Sequence, residues 1–212
     1  MSKEYGYVGK EVEQDFRSNK GIFTPQDIIE LDQENKWTNF GQLELIETQT
    51  VSGTPSTLSF DSIKETEYNV HLLTFSDYAP QTNNRHLTIQ FKVGGTADGD
   101  SGAYGHAMER VSASTGVGVV QSSDTRIYLA YGCSVTSNHT TNGYLYIYNA
   151  GDSTKYTFVT GQTIMIDKDT NTRMSFYSGT YDRANQVDGL QFQTSGGNLE
   201  HGTFSLYGIR FS

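Results

Sequence analysis

Gly143-Tyr144-Leu145-Tyr146-Ile147-Tyr148-Asn149 alternates three tyrosines with two aliphatic residues. A β-strand sends successive side chains to opposite faces, so Leu145 and Ile147 share one side and Tyr144, Tyr146 and Tyr148 the other. The aliphatic side is expected to pack into a core. The aromatic side is expected to meet a neighbour: a second sheet, another subunit or a ligand. A sheet with two employed faces is therefore the first expectation.

Outward from this stretch the chain reads as strand after strand. Asn69–Phe75 and His86–Val93 are the strongest, and in the second Leu87, Ile89, Phe91 and Val93 share a face. Leu43, Leu45 and Val51 open the series, with Ile46 breaking the alternation, and Thr57–Phe60 follows. Further candidates are Arg126–Gly132, Tyr156–Val159, Met174–Tyr177, Gly189–Phe192 and Phe204–Phe211. Turn signals such as Gly94-Gly95, Asp98-Gly99, Asn142-Gly143, Asp188-Gly189 and Gly196-Gly197 fall between them. The stretch 94–123 is rich in Gly, Ser and Ala and reads as one strand, near residues 103–111, flanked by long loops, with one helical turn on the sandwich rim as the alternative. About ten short strands at this spacing predict a mainly β protein: a two-sheet antiparallel β-sandwich, jelly-roll-like, with a closed barrel as the alternative. No repeat of fixed period points to a propeller or solenoid.

Composition sets the outer bounds. The 212 residues include 14 Tyr, 11 Phe and 22 Gly but only 3 Pro, a balance that suits short strands and glycine-bearing turns. A net charge of −9 argues against a nucleic-acid surface, which needs a basic patch. The single cysteine, Cys133, excludes an intrachain disulfide and reads as a small buried hydrophobe within a strand. No apolar run reaches the ~20 residues that span a bilayer, so no membrane insertion is expected. The opening Met-Ser-Lys-Glu-Tyr-Gly-Tyr lacks a secretory h-region, and synthesis in a cytoplasm is the expectation.

The first 41 residues read differently. Residues 1–23 form a polar, glycine-punctuated arm that cannot bury much by itself. A short helix is predicted next, with Thr24 as N-cap, Pro25 at its first position and Asp27 in its first turn. Ile28 and Leu31 share a stripe with Ile29 beside it, and Trp37 and Phe40 close the segment before Gly41. Two units follow: an arm with its helix over 1–41, and a β-sandwich over 42–212.

Catalytic signals are thin. Gly99-Asp100-Ser101-Gly102 matches the tetrapeptide around a serine-protease nucleophile, but a triad also needs a histidine base and an aspartate to orient it. A Gly/Asp/Ser turn is the simpler reading. Asp167-Lys168-Asp169-Thr170-Asn171 begins like a calcium loop and then lacks the turn glycine and the bidentate glutamate, with Thr172 and Ser178 in their places. A turn between strands is expected there. The five histidines show no metal-ligand spacing, and His71 and His86 fall in predicted strands. No metal and no cofactor is expected. Tyr144, Tyr146 and Tyr148, with Tyr128 and Tyr131 as further candidates, are left with three readings: packing, a subunit interface, or a platform for glycan rings.

Two segments resemble a known family. Gly21–Leu31 followed by Trp37 and Gly41–Ile46 is similar to virion structural proteins of tailed bacteriophages, marine and cyanobacterial phages in particular. Val187–Phe192 with Gly196–Arg210 resembles the C-terminal strand pair of phage fibre, appendage and decoration proteins. The resemblance implies a non-enzymatic structural protein, assembled in the host cytoplasm and located in the virion. It implies docking to other virion proteins through residues 1–41, with Phe23, Ile28, Ile29, Leu31, Trp37 and Phe40 as anchoring residues. Closed homo-oligomers, trimers among them, are the expected assembly. The alternative is a carbohydrate-binding module that recognises a host-surface glycan.

Overall fold

The computed structural model describes residues 43–112 and 116–209, together with Pro25, Gln26 and Ile29. The predicted arm lies outside the described residues, as do Phe23, Ile28, Leu31, Trp37 and Phe40. Pro25, Gln26 and Ile29 have helical backbone and are exposed, too few residues to define an element.

Residues Gln42–Phe211 make one compact unit. Its strands are β1 (Leu43–Thr50), β2 (Thr57–Phe60), β3 (Val70–Pro80), β4 (Arg85–Val93), β5 (Thr96–Ala97), β6 (Tyr104–Ser112), β7 (Gly116–Asp124), β8 (Ile127–Cys133), β9 (Thr141–Tyr148), β10 (Thr157–Ile166), β11 (Thr172–Tyr181), β12 (Gly189–Thr194) and β13 (Leu199–Ile209). They form two antiparallel sheets, a β-sandwich. The larger has eight strands in the order β1-β13-β3-β9-β10-β11-β6-β7. The smaller has the order β2-β12-β4-β5, and β8 also pairs with β4. β12 holds one edge of β4 along its length, so β5 and β8 share the other. The large sheet begins at β1 and ends at β7 without closing, which removes the barrel alternative.

Alternation explains why the sheets stack. In β3, His71, Leu73 and Phe75 are buried while Val70, Leu72 and Thr74 are half-buried; in β13, Phe204 and Leu206 are buried between partly exposed neighbours. Phe204 lies where the two sheets meet. Its ring is 5.9 Å from Phe75 of the large sheet and 5.0 Å from Phe192 of the small one. Each such aromatic pair adds about 0.5–1.5 kcal/mol beyond the area it buries. Cys133 is fully buried, and burial pushes its thiol up to about 11.

The stretch 94–123 holds three strands rather than the single one expected. β6 and β7 form a hairpin at the far edge of the large sheet, where small residues suffice because β7 has a partner on one side only.

Candidate functional site

The outer face of the eight-stranded sheet can be followed along its register. One row runs Leu45, Tyr207, Leu72, Tyr146, Thr160, Ser178, Ala107, Val120. The next runs Thr48, Ser205, Thr74, Tyr144, Gln162, Phe176, Glu109, Gly118. On the other side of the Tyr146 row lies Leu43, Ile209, Val70, Tyr148, Phe158, Thr180, Gly105. Beyond the Tyr144 row, Asn142, Ile164, Met174, Val111 and Gly116 continue the pattern. Glu109 is the one charged residue in these rows. Large apolar side chains stand in water there: Val120 is 75% exposed, Leu45 59%, Ile164 50%, and Phe158 and Phe176 43% each. A chain of net charge −9 has thus kept nearly all its charge off one face.

The three tyrosines lie on this face, opposite Leu145 and Ile147, which are fully buried. They are therefore not packed between the sheets. Tyr144 and Tyr146 meet edge to face at 6.0 Å, and Tyr146 and Tyr148 are 6.4 Å apart. With Thr160, Gln162, Phe176 and Glu109 they line an open groove of about 600 Å³. Its floor is Gly161 in β10, where an added Cβ would stand 2.2 Å from the Tyr144 carbonyl. That close approach lets the Tyr177 hydroxyl donate to the same carbonyl at 2.9 Å. Rings beside one amide and one carboxylate can stack on a sugar or on a facing sheet. Phe158, Phe176, Gln162 and Tyr207 were not singled out from sequence. Phe158, Phe176 and Tyr207 had only alternate spacing inside predicted strands as a signal, and Gln162 lay beyond the predicted segment Tyr156–Val159.

A second cluster gathers around β8. Tyr128 and Tyr131 stack at 4.9 Å, His86 lies 4.2 Å from the Tyr131 ring, and His106 lies 5.1 Å from that of Tyr128. The Arg110 guanidinium sits 4.8 Å from the Tyr131 ring centre, and Arg173 donates to the Tyr131 carbonyl at 2.9 Å. Gly132 N–H donates to His86 Nδ1 at 2.9 Å, which leaves Nε2 to carry the imidazole proton. Burial first, then Arg110, Arg85 and Arg173, hold His86 down to about 4. Burial also lowers His106.

The other motifs resolve into turns. Asp98 Oδ2 accepts from the Tyr181 hydroxyl at 2.7 Å, and Arg183 bridges Asp98 and Asp100, which pins residues 98–102 as a loop. Ser101 is exposed, while His71 bonds the Ile63 carbonyl and His86 bonds Gly132, so neither serves it as a base. In the calcium-like stretch, Asp167 Oδ1 accepts from the backbone N–H groups of Asp169 and Asn171, and Oδ2 pairs with Arg173 at 2.6 Å. Asp167 is buried, so the turn is less solvated than its polar sequence suggests. Among the described residues no three His, Cys, Asp or Glu side chains gather as a metal-ligand set.

No protein-family model matches the chain, and no curated protein does. Among solved structures it is similar to one described as the binding domain of botulinum neurotoxin DC in complex with SialylT. That likeness has a TM-score of 0.23 at 10% identity over 82% of this chain. The chain spans 43% of that structure's length, and a likeness of this order carries no argument about fold or activity.

Proposed function

We propose that the protein is a non-enzymatic structural component of a tailed-phage virion, and that it assembles with further copies of itself through the outer face of the eight-stranded sheet. The observation that carries this reading is the aromatic character of that face, on which Glu109 is the one charged residue of the four rows. The strand orders β1-β13-β3-β9 and β2-β12-β4-β8 support the finer reading of the sandwich as a jelly roll, with β5–β7 and β10–β11 as insertions. With strands ~4.8 Å apart and same-face residues ~6.8 Å apart, the face spans roughly 34 Å by 20 Å, on the order of 700 Å². That is about one partner's share of a standard interface. Copies that each carry −9 repel one another everywhere except across such a patch. Residues 1–41 are the proposed link to other virion proteins, with Ile28, Ile29, Leu31 and Trp37 as anchors.

Light scattering on the full chain tests the assembly. A closed oligomer is expected, and Phe176→Glu or Val120→Glu should dissociate it without altering the melting temperature. A wild-type monomer at about 100 μM would end the self-assembly reading. Deleting residues 1–41 should leave a folded domain that no longer enters particles; normal incorporation would discard the anchor.

A second reading rests on the tyrosine groove, whose stacked rings and polar rim suit a host-surface glycan. Tyr146→Ala is then expected to abolish retention on host polysaccharide while the solution mass stays unchanged. Unaltered retention rejects the platform.

A further inference from the structure

Four of the chain's seven arginines (85, 110, 126 and 173) surround the stacked tyrosines of β8, in a protein where acids outnumber bases 24 to 15. Arg173 is neutralised by Asp167, and Arg126 bonds Thr125. Arg85 and Arg110 have no acidic partner among the described residues, and the Nε of each is buried without an acceptor. Asp124 lies within electrostatic reach of His106, Tyr128 and Tyr131, but its Oδ1 accepts hydrogen bonds from the Thr125 N–H and hydroxyl. His106 is 4% exposed, and both of its ring nitrogens lack partners. Buried donors of this kind are costly unless something meets them, and an unpaired guanidinium costs most. Tyr128 and Tyr131 remain partly exposed, so the cluster opens to solvent.

The geometry points to an oxyanion-binding cleft in which Arg85 and Arg110 hold a carboxylate or phosphate group, with the Tyr128 and Tyr131 hydroxyls donating beside them. A planar guanidinium matches either anion through paired N–H donors, which a lysine ammonium does not. The His86 Nε2 proton adds a neutral donor at the same place. Two sources carry this chemistry, an acidic saccharide and a phosphate-bearing ligand. The cleft lies on β4, β6 and β8, apart from the tyrosine rows, so its fate does not depend on the outer face.

The test is a titration of the full chain with sodium galacturonate, with inorganic phosphate and with neutral galactose, read from the His86 and His106 imidazole resonances. One anion is expected to shift both resonances saturably, and galactose to shift neither. Saturation by galacturonate alone identifies an acidic saccharide; saturation by phosphate alone identifies a phosphate group. Arg85→Gln and Arg110→Gln should each weaken binding by about tenfold or more with an unchanged melting temperature. Should either variant fail to fold, the wild type serves: bound anion should slow modification of Arg85 and Arg110 by an arginine-specific dicarbonyl reagent. No saturable shift with either anion at about 50 mM, or equal shifts with galactose, overturns the proposal.

Discussion

Asp167 uses both of its carboxylate oxygens, one to cap a turn and one to neutralise Arg173 inside the sandwich. Removing it leaves a largely buried guanidinium without its anion, so Asp167→Ala is expected to cost about 3–5 kcal/mol in urea unfolding. A loss under about 1 kcal/mol would show that water replaces the carboxylate freely. Histidine protonation is expected to weaken the fold in acid. His86 is held at about 4 in the folded chain against 6.5 unfolded, so its neutral form is the folded one. Its contribution is whole above pH 6.5 and is lost as pH falls from 6.5 towards 4, because only the unfolded chain takes up the proton there. His71 and His106 are shifted in the same direction by burial. Unfolding midpoints should therefore decline across that window, and His86→Asn should make the decline shallower. An unchanged slope in the variant would assign the loss to carboxylates.

Among the elements, β10 carries the greatest steric constraint, since Gly161 lets β9 and β11 close around it. A Cβ there meets the Tyr144 carbonyl at 2.2 Å and the Tyr177 hydroxyl at 2.7 Å. Gly161→Ala is expected to destabilise by about 3 kcal/mol or more by denaturant melting, because a backbone atom cannot step aside as a side chain can. A neutral substitution would mean that the strands slide apart without cost. The same strand shows what a one-dimensional reading can miss. Thr57–Phe60 and His86–Val93 were legible almost to the residue because their inward positions are strongly apolar. In β10, Phe158 and Ile164 face out while Val159 and Met165 face in, so alternation is erased and only residues 156–159 stood out. The tyrosine stripe was legible for the converse reason: its two faces differ in residue type. That it faces outward, and that β1, β3, β11 and β13 extend it, depends on pairings between segments far apart in sequence. The β8 cluster is assembled from four separate stretches; Tyr128 and Tyr131 stood out as aromatic candidates, but nothing local placed His86, His106, Arg85, Arg110 and Arg173 beside them.

For the molecule as a whole, the contrast between a charged body and a face with a single charged residue makes a salt-dependent prediction. Raising ionic strength from about 20 mM to about 500 mM should tighten self-association, since it screens repulsion between copies and leaves the apolar contact intact. Weakening with salt, read by light scattering, would instead indicate an interface held by ion pairs. Residues 42–212 should melt cooperatively by themselves, in keeping with the single compact unit that Gln42–Phe211 form. The position of β13 bears on how that unit comes into being. It is the last of the described strands, yet it is hydrogen-bonded between β1 and β3, so the first and third strands wait on it. At ~5–20 residues per second, the ribosome leaves Leu43 exposed for on the order of 10–30 s before Ile209 is made. Pairings this distant in sequence also close slowly once available. β1 and β3 thus spend their early life without the strand that lies between them, and a chain that stops before Leu199 should be cleared as a nascent-chain casualty rather than accumulate as a weaker version of the protein.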